Sequence, residues 1–110
     1  MKSVKESVYQ KAILEYLQAK GILVWRNHST GIYNPKGGGF IPLGKPGVSD
    51  ILGILPNGRF LAIEVKTPKG KLSENQIFFL DDINIRGGLA FMAITIDDVE
   101  KEFKRNGIKV

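Results

Sequence analysis

Two β-prone segments flank the tripeptide Pro56-Asn57-Gly58, and this turn constrains the fold more than any other feature of the chain. Residues 51–55 and 59–65 are mostly aliphatic and aromatic, which is typical of strands. Because proline and glycine interrupt strands and favour turns, the two segments are predicted to form a β-hairpin. The length of its loop then decides which side chains of the two strands lie opposite each other.

A three-residue loop would bring two acidic side chains together. A two-residue loop would place Asp50 and Glu64 on opposite faces of the sheet. Pro56-Asn57-Gly58 instead suits a three-residue loop, because proline fits the first corner of a type I turn and glycine adopts the left-handed conformation that follows. This loop pairs Leu55 with Arg59 and therefore Asp50 with Glu64. The two carboxylates are expected on one face, with Cβ atoms about 5 Å apart.

Asp50 and Glu64 are also isolated among basic residues. They are the only acidic residues between Lys20 and Lys71. Like charges directly opposite each other destabilise a sheet, so a cation, a shared proton or a nearby lysine must offset their repulsion. Oxygen ligands without His or Cys suit Mg²⁺ or Mn²⁺, which also bind phosphate. The same segment contains eight basic residues: Lys20, Arg26, Lys36, Lys45, Arg59, Lys66, Lys69 and Lys71.

Two interpretations of these residues remain open on spacing alone. Lys66 lies two residues after Glu64 and therefore on the same face of the strand. In the first interpretation Asp50, Glu64 and Lys66 form a metal site for phosphodiester chemistry inside an anion-binding surface. In the second, Glu64 and Lys66 form a surface salt bridge and Asp50 lies at the entrance of a strand. The D…ExK spacing is too loosely specified to decide between them.

Composition restricts the class of protein. A chain of 110 residues suits one domain, residues 1–110, with one core. The absence of cysteine excludes disulfides and thiolate metal sites and fits a reducing compartment. No apolar run approaches the about 20 residues of a membrane span, and the N-terminal residues lack the apolar stretch of a signal peptide. We therefore expect a cytoplasmic protein without membrane contact. The formal net charge of +5 supports nucleic-acid binding only weakly.

The order of elements predicts an α/β fold of the α+β type, with helices on a mixed sheet. The step from residue 59 to residue 95 is a strand, a helix and a strand, which predicts a parallel pair. The glycine- and proline-rich segment 31–47 is expected to be a loop or a loose hairpin. The other predicted elements are a helix over 3–20, strands over 22–25, 51–55, 59–65 and 89–95, a helix over 73–86, and a short last helix over 97–105 with Asp97 as N-cap and Glu100 three residues on.

The segment GVSDILGILPNGRFLAIEVKTPKGKLSENQ resembles the VRR-NUC branch of the PD-(D/E)xK nuclease superfamily. It is most similar to the small stand-alone members of phages and bacteria. The resemblance extends to Glu6 on the opening helix, to Trp25-Arg26-Asn27 and to Gln76. It implies a restriction-endonuclease-like core, α-β-β-β-α-β, followed by the short helix. Ser49 stands where the superfamily name implies proline, a residue that only shapes the entrance of the strand.

The resemblance also implies a role for each site residue. Asp50 and Glu64 would bind the metal, with the backbone carbonyl of Val65 as a third ligand. Lys66 would position or help deprotonate the attacking water. Glu6 would complete the acidic side of the site, and Gln76 would line it. The implied cofactor is Mg²⁺, with Mn²⁺ as a substitute.

Glu6 and Gln76 each have a second interpretation. Each follows a serine by three residues, Ser3 and Ser73 respectively, which is the spacing of a helix capping box. Capping and a place in the site are expected to exclude each other for one side-chain rotamer. Both interpretations therefore remain open from the sequence.

The implied activity is a Mg²⁺-dependent DNA endonuclease, acting on structured DNA such as a four-way junction, a flap or a nicked duplex in replication, repair or recombination. Alternatives are a basic nucleic-acid-binding module without catalysis and a sequence-specific restriction-type nuclease. The apolar run 77–80 on the second helix hints at a homodimer, because part of it must face away from the core. Expected DNA contacts are Arg26, Asn27, Lys36, Lys45, Lys69 and Lys71.

Overall fold

The computed structural model describes residues 4–28, 30–34 and 36–110. Ser3, the predicted cap of the first helix, lies outside these residues. No helix in the described ranges has both the length and the apolar character needed to cross a membrane. In chain order the elements are α1 (Val4–Ala19), β1 (Leu23–Arg26), β2 (Thr30–Asn34), β3 (Gly39–Leu43), β4 (Ile51–Ile54), β5 (Phe60–Val65), α2 (Glu74–Ile85), β6 (Leu89–Ala93) and α3 (Ile96–Arg105).

The main sheet has four strands in the order β1-β4-β5-β6. β4 pairs antiparallel with both β1 and β5. β5 and β6, which α2 connects, are parallel. The predicted mixed sheet with helices is therefore confirmed, including its parallel pair.

The hairpin between β4 and β5 has the predicted three-residue loop. Leu55 donates its N–H to the carbonyl of Arg59 at 2.9 Å, and Gly58 donates to Leu55 at 2.8 Å. Gly58 has a φ of 89°, the left-handed conformation that this loop requires. Further in, Ile51 lies opposite Ile63. The register is the one that turn chemistry predicts.

The two faces of the sheet are covered by different helices. Leu61, Ile63 and Val65 of β5 belong to the larger core cluster, together with buried residues of α1 and α3. Ala62, between them in sequence, packs on the other side with Phe79 of α2. The alternation of β5 side chains thus assigns one face to α1 and α3 and the opposite face to α2.

The glycine- and proline-rich segment forms the hairpin of β2 and β3. Asn34 lies opposite Gly39 and Thr30 opposite Leu43. In the described part of the chain these two strands form a separate sheet and do not join the other four. A hairpin was one of the two expectations for this segment, and its strands are more regular than the glycine content suggests.

The N-cap predicted for the last helix is wrong. α3 begins at Ile96, and its cap is Thr95 rather than Asp97. Asp98 closes the capping box, accepting N–H groups from Ile94 at 2.9 Å and Thr95 at 3.1 Å. These backbone bonds, that of Ile94 first, lower the pKa of Asp98 below its usual value. Thr95 with Asp98 and Asp97 with Glu100 both have the spacing of a capping box. Because β6 ends at Ala93, the helix begins early enough to use the first pair.

Gly47 allows the segment before Asp50 to approach the start of α2. Its φ is 79°, and a Cβ atom at this position would lie 2.3 Å from the carbonyl oxygen of Asn75. Asn75 directly precedes Gln76 in the first turn of α2. Because Gly47 has no side chain, the segment that leads to Asp50 can lie against the first turn of this helix.

We expect Gly47→Ala to destabilise the fold more than Gly58→Ala. Gly58 has a similar φ, 89°, but no described atom lies within 4 Å of its missing Cβ. Alanine there should lower the free energy of unfolding only by the cost of the left-handed backbone, about 1–2 kcal/mol. Alanine at Gly47 has the same backbone strain and must also displace Asn75, so its loss of stability should be larger. Urea denaturation of both variants compares the two losses. Equal losses would mean that the segment withdraws from α2 without cost.

Candidate active site

The β4–β5 register brings Asp50 and Glu64 together. Asp50 directly precedes the pair of Ile51 and Ile63, so the same register places it opposite Glu64. In an antiparallel pair, hydrogen-bonded and non-hydrogen-bonded positions alternate. Leu55 bonds with Arg59, so Asp50 and Glu64 fall at a non-hydrogen-bonded position, where Cα atoms are only about 4.5 Å apart. The carboxylates therefore emerge side by side from the α2 face.

Asp50 is held by the backbone on both sides. Its Oδ2 accepts the N–H of Val65 at 2.9 Å, and its own carbonyl accepts the N–H of Asn27 at 2.8 Å. Asp50 is 5% exposed, and Glu64 is 1% exposed. Buried carboxylates need bonded partners to offset their desolvation. The Val65 bond provides one and fixes the orientation of Asp50.

Glu64 is oriented by Gln76 and Lys66. Its Oε2 accepts the amide of Gln76 at 3.1 Å and lies 3.8 Å from Nζ of Lys66. Gln76 also accepts the N–H of Ser73 at 2.8 Å through Oε1, and Ser73 accepts the N–H of Gln76 in return. The expectation that capping and a site role exclude each other is wrong, because the two ends of one amide serve both.

The carbonyl of Val65 is directed towards Asp50. In a strand, the N–H and C=O of one residue point to the same neighbouring strand. The N–H of Val65 donates to Asp50, so its C=O faces the same side. This orientation suits the third ligand that the family resemblance implies, and carboxylate and carbonyl oxygens are ligands that Mg²⁺ accepts. The donor set therefore fits the implied ion, although metal binding stays a prediction.

Glu6 lies on α1, which packs on the face of the sheet opposite the acid pair. It is in the first turn of α1, on the stripe whose later members Gln10, Ile13 and Leu17 are buried. β1 runs back along α1, so the start of α1 lies near the end of β1, where Asn27 bonds with Asp50. Among the described residues no group of three His, Cys, Asp or Glu side chains is placed to hold a metal. The role of Glu6 therefore stays a prediction.

The predicted DNA contacts differ in exposure and in the elements that carry them. Lys45, Lys69 and Lys71 are exposed on the segments that flank the acids, and Lys36 is exposed in the turn of the β2–β3 hairpin. Asn27 is half-buried in the row of Asp50 and Glu64.

Arg26 differs from the other predicted contacts. It lies two residues after Val24, which belongs to the core on the α1 side. The alternation of side chains along β1 therefore places Arg26 on the face opposite the acids. Its Nε is buried. Its contact with DNA, like those of the lysines, stays a prediction.

Among the described residues, two buried polar side chains besides the acid pair were not predicted. Gln10 of α1 is 2% exposed, and Ser49, directly before Asp50, is fully buried. The signal for Gln10 is its helical spacing from Ile13 and Leu17, which places it on the buried stripe of α1. Ser49 gives no comparable signal, because serine is equally common in exposed loops.

Comparison with known proteins places this geometry in a family. Residues 41–94, which contain the acid pair, Lys66 and Gln76, match the model of the VRR-NUC domain. A solved structure described as a VRR-NUC domain is 26% identical, with a TM-score of 0.64 over 93% of this chain and 97% of that chain. Residues 41–94 are a VRR-NUC domain.

A second solved structure supports the fold of this VRR-NUC domain. It is described as a VRR-NUC domain protein, with 18% identity and a TM-score of 0.57 over 96% of this chain and 89% of that chain. A search of curated proteins found no match. The match to the family model and the similar structure confirm the resemblance to the VRR-NUC family, which is a nuclease-type family. Glu6, Arg26, Asn27 and Lys36 lie outside the matched residues.

The two bonds of Gln76 can be separated by mutation. We expect Gln76→Ala to lower the free energy of unfolding by about 1–2 kcal/mol, because it removes part of the cap and a bond to Glu64. Gln76→Glu keeps an acceptor for Ser73 but replaces the amide donor with a carboxylate beside Glu64. It should therefore destabilise at least as much as alanine at neutral pH in EDTA.

Urea denaturation measures these losses, with Ser73→Ala as the control that removes only the hydroxyl of the cap. If Gln76→Glu is as stable as the wild type, the bond to Glu64 contributes nothing to the fold.

Proposed function

We propose that this VRR-NUC domain is a Mg²⁺-dependent endonuclease that hydrolyses phosphodiester bonds in DNA, with Mn²⁺ as a substitute ion. The observation that carries the proposal is the acid pair, Asp50 opposite Glu64, buried on one face with Lys66 3.8 Å from Glu64. Two carboxylates this close are costly to a sheet. A protein that only binds DNA gains nothing from such acids in a phosphate-binding surface.

The proposed metal ligands are Asp50, Glu64 and the carbonyl of Val65, with Glu6 on the acidic side of the site. A bound Mg²⁺ supplies an activated water and neutralises charge on the phosphate. The protein supplies orientation, because Val65 N–H holds Asp50 and Gln76 holds Glu64. Lys66 positions the attacking water or accepts its proton, and its charge stabilises the anionic transition state.

The proposed substrate is structured DNA, such as a four-way junction, a flap or a nicked duplex in repair, recombination or replication. Exposed Lys45, Lys69 and Lys71 support electrostatic binding of the DNA backbone on the segments that flank the acids. The net charge of +5 has the sign that this binding requires.

Cleavage of labelled DNA tests the proposal. We expect the wild type to cut in Mg²⁺ or Mn²⁺ and not in EDTA. Asp50→Asn, Glu64→Gln and Lys66→Ala should each lower the cleavage rate by about 10²-fold or more. Lys104→Ala, at an exposed lysine of α3, is the matched control for removal of a positive charge. Comparison of junction, flap, nicked, duplex and single-stranded substrates identifies the preferred structure.

Two outcomes would contradict different parts of the proposal. Binding of DNA without metal-dependent cleavage would leave a non-catalytic binding module as the function. Full activity of Lys66→Ala would reject the role of Lys66 while leaving the activity in place.

A homodimer is the final part of this proposal. Phe79 and Leu80 of α2 are buried against the sheet, but Phe78 is 60% exposed and Ile85, two helical turns further on, is 79% exposed. This outward stripe of α2, which the exposed Asp81 and Asp82 interrupt, is the surface proposed for contact with a second copy. Two copies would also provide two sites for cutting two strands.

We expect Phe78→Glu to shift the protein from dimer to monomer, because a charge at the centre of an apolar contact is costly to bury. Analytical ultracentrifugation over a range of concentrations measures the shift, and circular dichroism confirms that the variant folds. Lys101→Gln, on exposed α3 surface, lowers the net charge by the same one unit and is the control. A wild type that sediments as a monomer at every concentration would reject the dimer.

A further inference from the structure

The α2 side of the main sheet is only partly covered by helix. α2 packs over β5 and β6, where Ala62 and Ala90 are buried beneath Phe79. On the same side of β1 and β4 lie Leu23, Trp25 and Ile54, all of which are exposed; Trp25 is 42% exposed. We call this group the open sheet face. A tryptophan at this position leaves much of its apolar surface in contact with water and contributes little to the core.

The register places Trp25 next to the acid pair. Trp25 lies opposite Leu52, and Asp50 is two residues before Leu52 on the same face of β4. Trp25 and Asp50 are thus diagonal neighbours, with Cα atoms about 7–8 Å apart. Leu23 and Ile54 lie one row further from the acids, opposite each other. Along the open sheet face, the indole is therefore the large side chain closest to the site.

An indole beside a phosphate-binding site suits a nucleobase. Aromatic side chains bind unpaired bases by stacking, and they do so with little preference for sequence. A base inside a duplex has both faces covered by its neighbours, so only an unpaired base offers a free face. A base belonging to the nucleotide held at Asp50 and Glu64, or to its neighbour in the strand, is within reach of Trp25.

We propose that Trp25 is a stacking platform for an unpaired nucleobase beside the phosphodiester held at Asp50 and Glu64. Trp25 is then a positioning residue, and the preferred substrates have unpaired nucleotides at the cut, as in a flap or at a junction of single and double strand. The inference rests on the proposed function for the place of the phosphate. A second copy on Trp25 would obstruct the acids, and the outward stripe of α2 is the surface assigned to that partner.

The chain offers a built-in probe, because Trp25 is its only tryptophan. Its fluorescence is measured during titration, in Ca²⁺ in place of Mg²⁺ so that a cation links the carboxylates to the phosphate, with three DNA probes: a duplex with a short single-stranded flap, the same probe with abasic flap nucleotides, and a nicked, fully paired duplex. We expect quenching by the flap probe only. Dye-labelled versions of the probes report binding independently through anisotropy.

Variants then connect the fluorescence to affinity. Trp25→Leu should weaken binding of the flap probe about 5- to 150-fold, the range expected for one stacked base, and leave the nicked duplex unchanged. Trp25→Phe should retain most of the affinity. Leu23→Ala, on the same open face but outside the stacking position, is the matched control and should change neither. Circular dichroism confirms folding of each variant.

Three outcomes would overturn the platform. Equal quenching by the abasic flap would mean that no base stacks on the indole. Equal weakening of all three probes by Trp25→Leu would give Trp25 a general structural role. A change of fluorescence with protein concentration in the absence of DNA would make the open face a self-association surface. These measurements need no cleavage, so a failed nuclease assay with intact stacking would reject the proposed function alone.

Discussion

The pairing of β4 with β5 is the constraint on which the rest of the site depends. A sheet normally avoids like charges at directly opposite positions, yet this register leaves Asp50 opposite Glu64. A shift of one residue would remove the repulsion and send Asp50 to the other face. The three-residue loop prevents that shift, because Gly58 adopts the left-handed conformation that no larger residue adopts at equal cost. The fold thus stabilises an arrangement that its two carboxylates oppose.

Gln76 connects this sheet to α2 through one side chain. Its carbonyl oxygen belongs to the cap of the helix and its amide nitrogen to Glu64. The cap fixes the rotamer, and the rotamer fixes the direction of the donor. Gly47 contributes from the other side, since its lack of a side chain lets the segment before Asp50 contact Asn75. The start of α2 therefore positions the acids without itself contributing a charge to them.

The sequence predicted the parts of the structure that depend on neighbouring residues, above all the hairpin loop and the strand register that follows from it. The proline and glycine around Asn57 predicted the hairpin loop, and the loop predicted the register. The dual role of Gln76 was missed because a capping box was treated as using the whole side chain, whereas it uses only one oxygen. The cap at Thr95 was missed because Asp97 fits the same pattern. The open sheet face was not predictable, because the strands that α2 covers are chosen by packing between Ala62, Ala90 and Phe79.

The separate hairpin of β2 and β3 has a consequence for how this chain can vary. The hydrogen bond from Asn27 to Asp50 closes the segment that contains the hairpin, because these residues stand before and after it in sequence. β1 and β4, which flank the segment, are already neighbours in the sheet. Loop-closure entropy grows only slowly with length, so the sheet tolerates a longer or shorter insert at little cost. The hairpin is in effect an exchangeable module. Its length and charge can change while the acid pair keeps the same geometry.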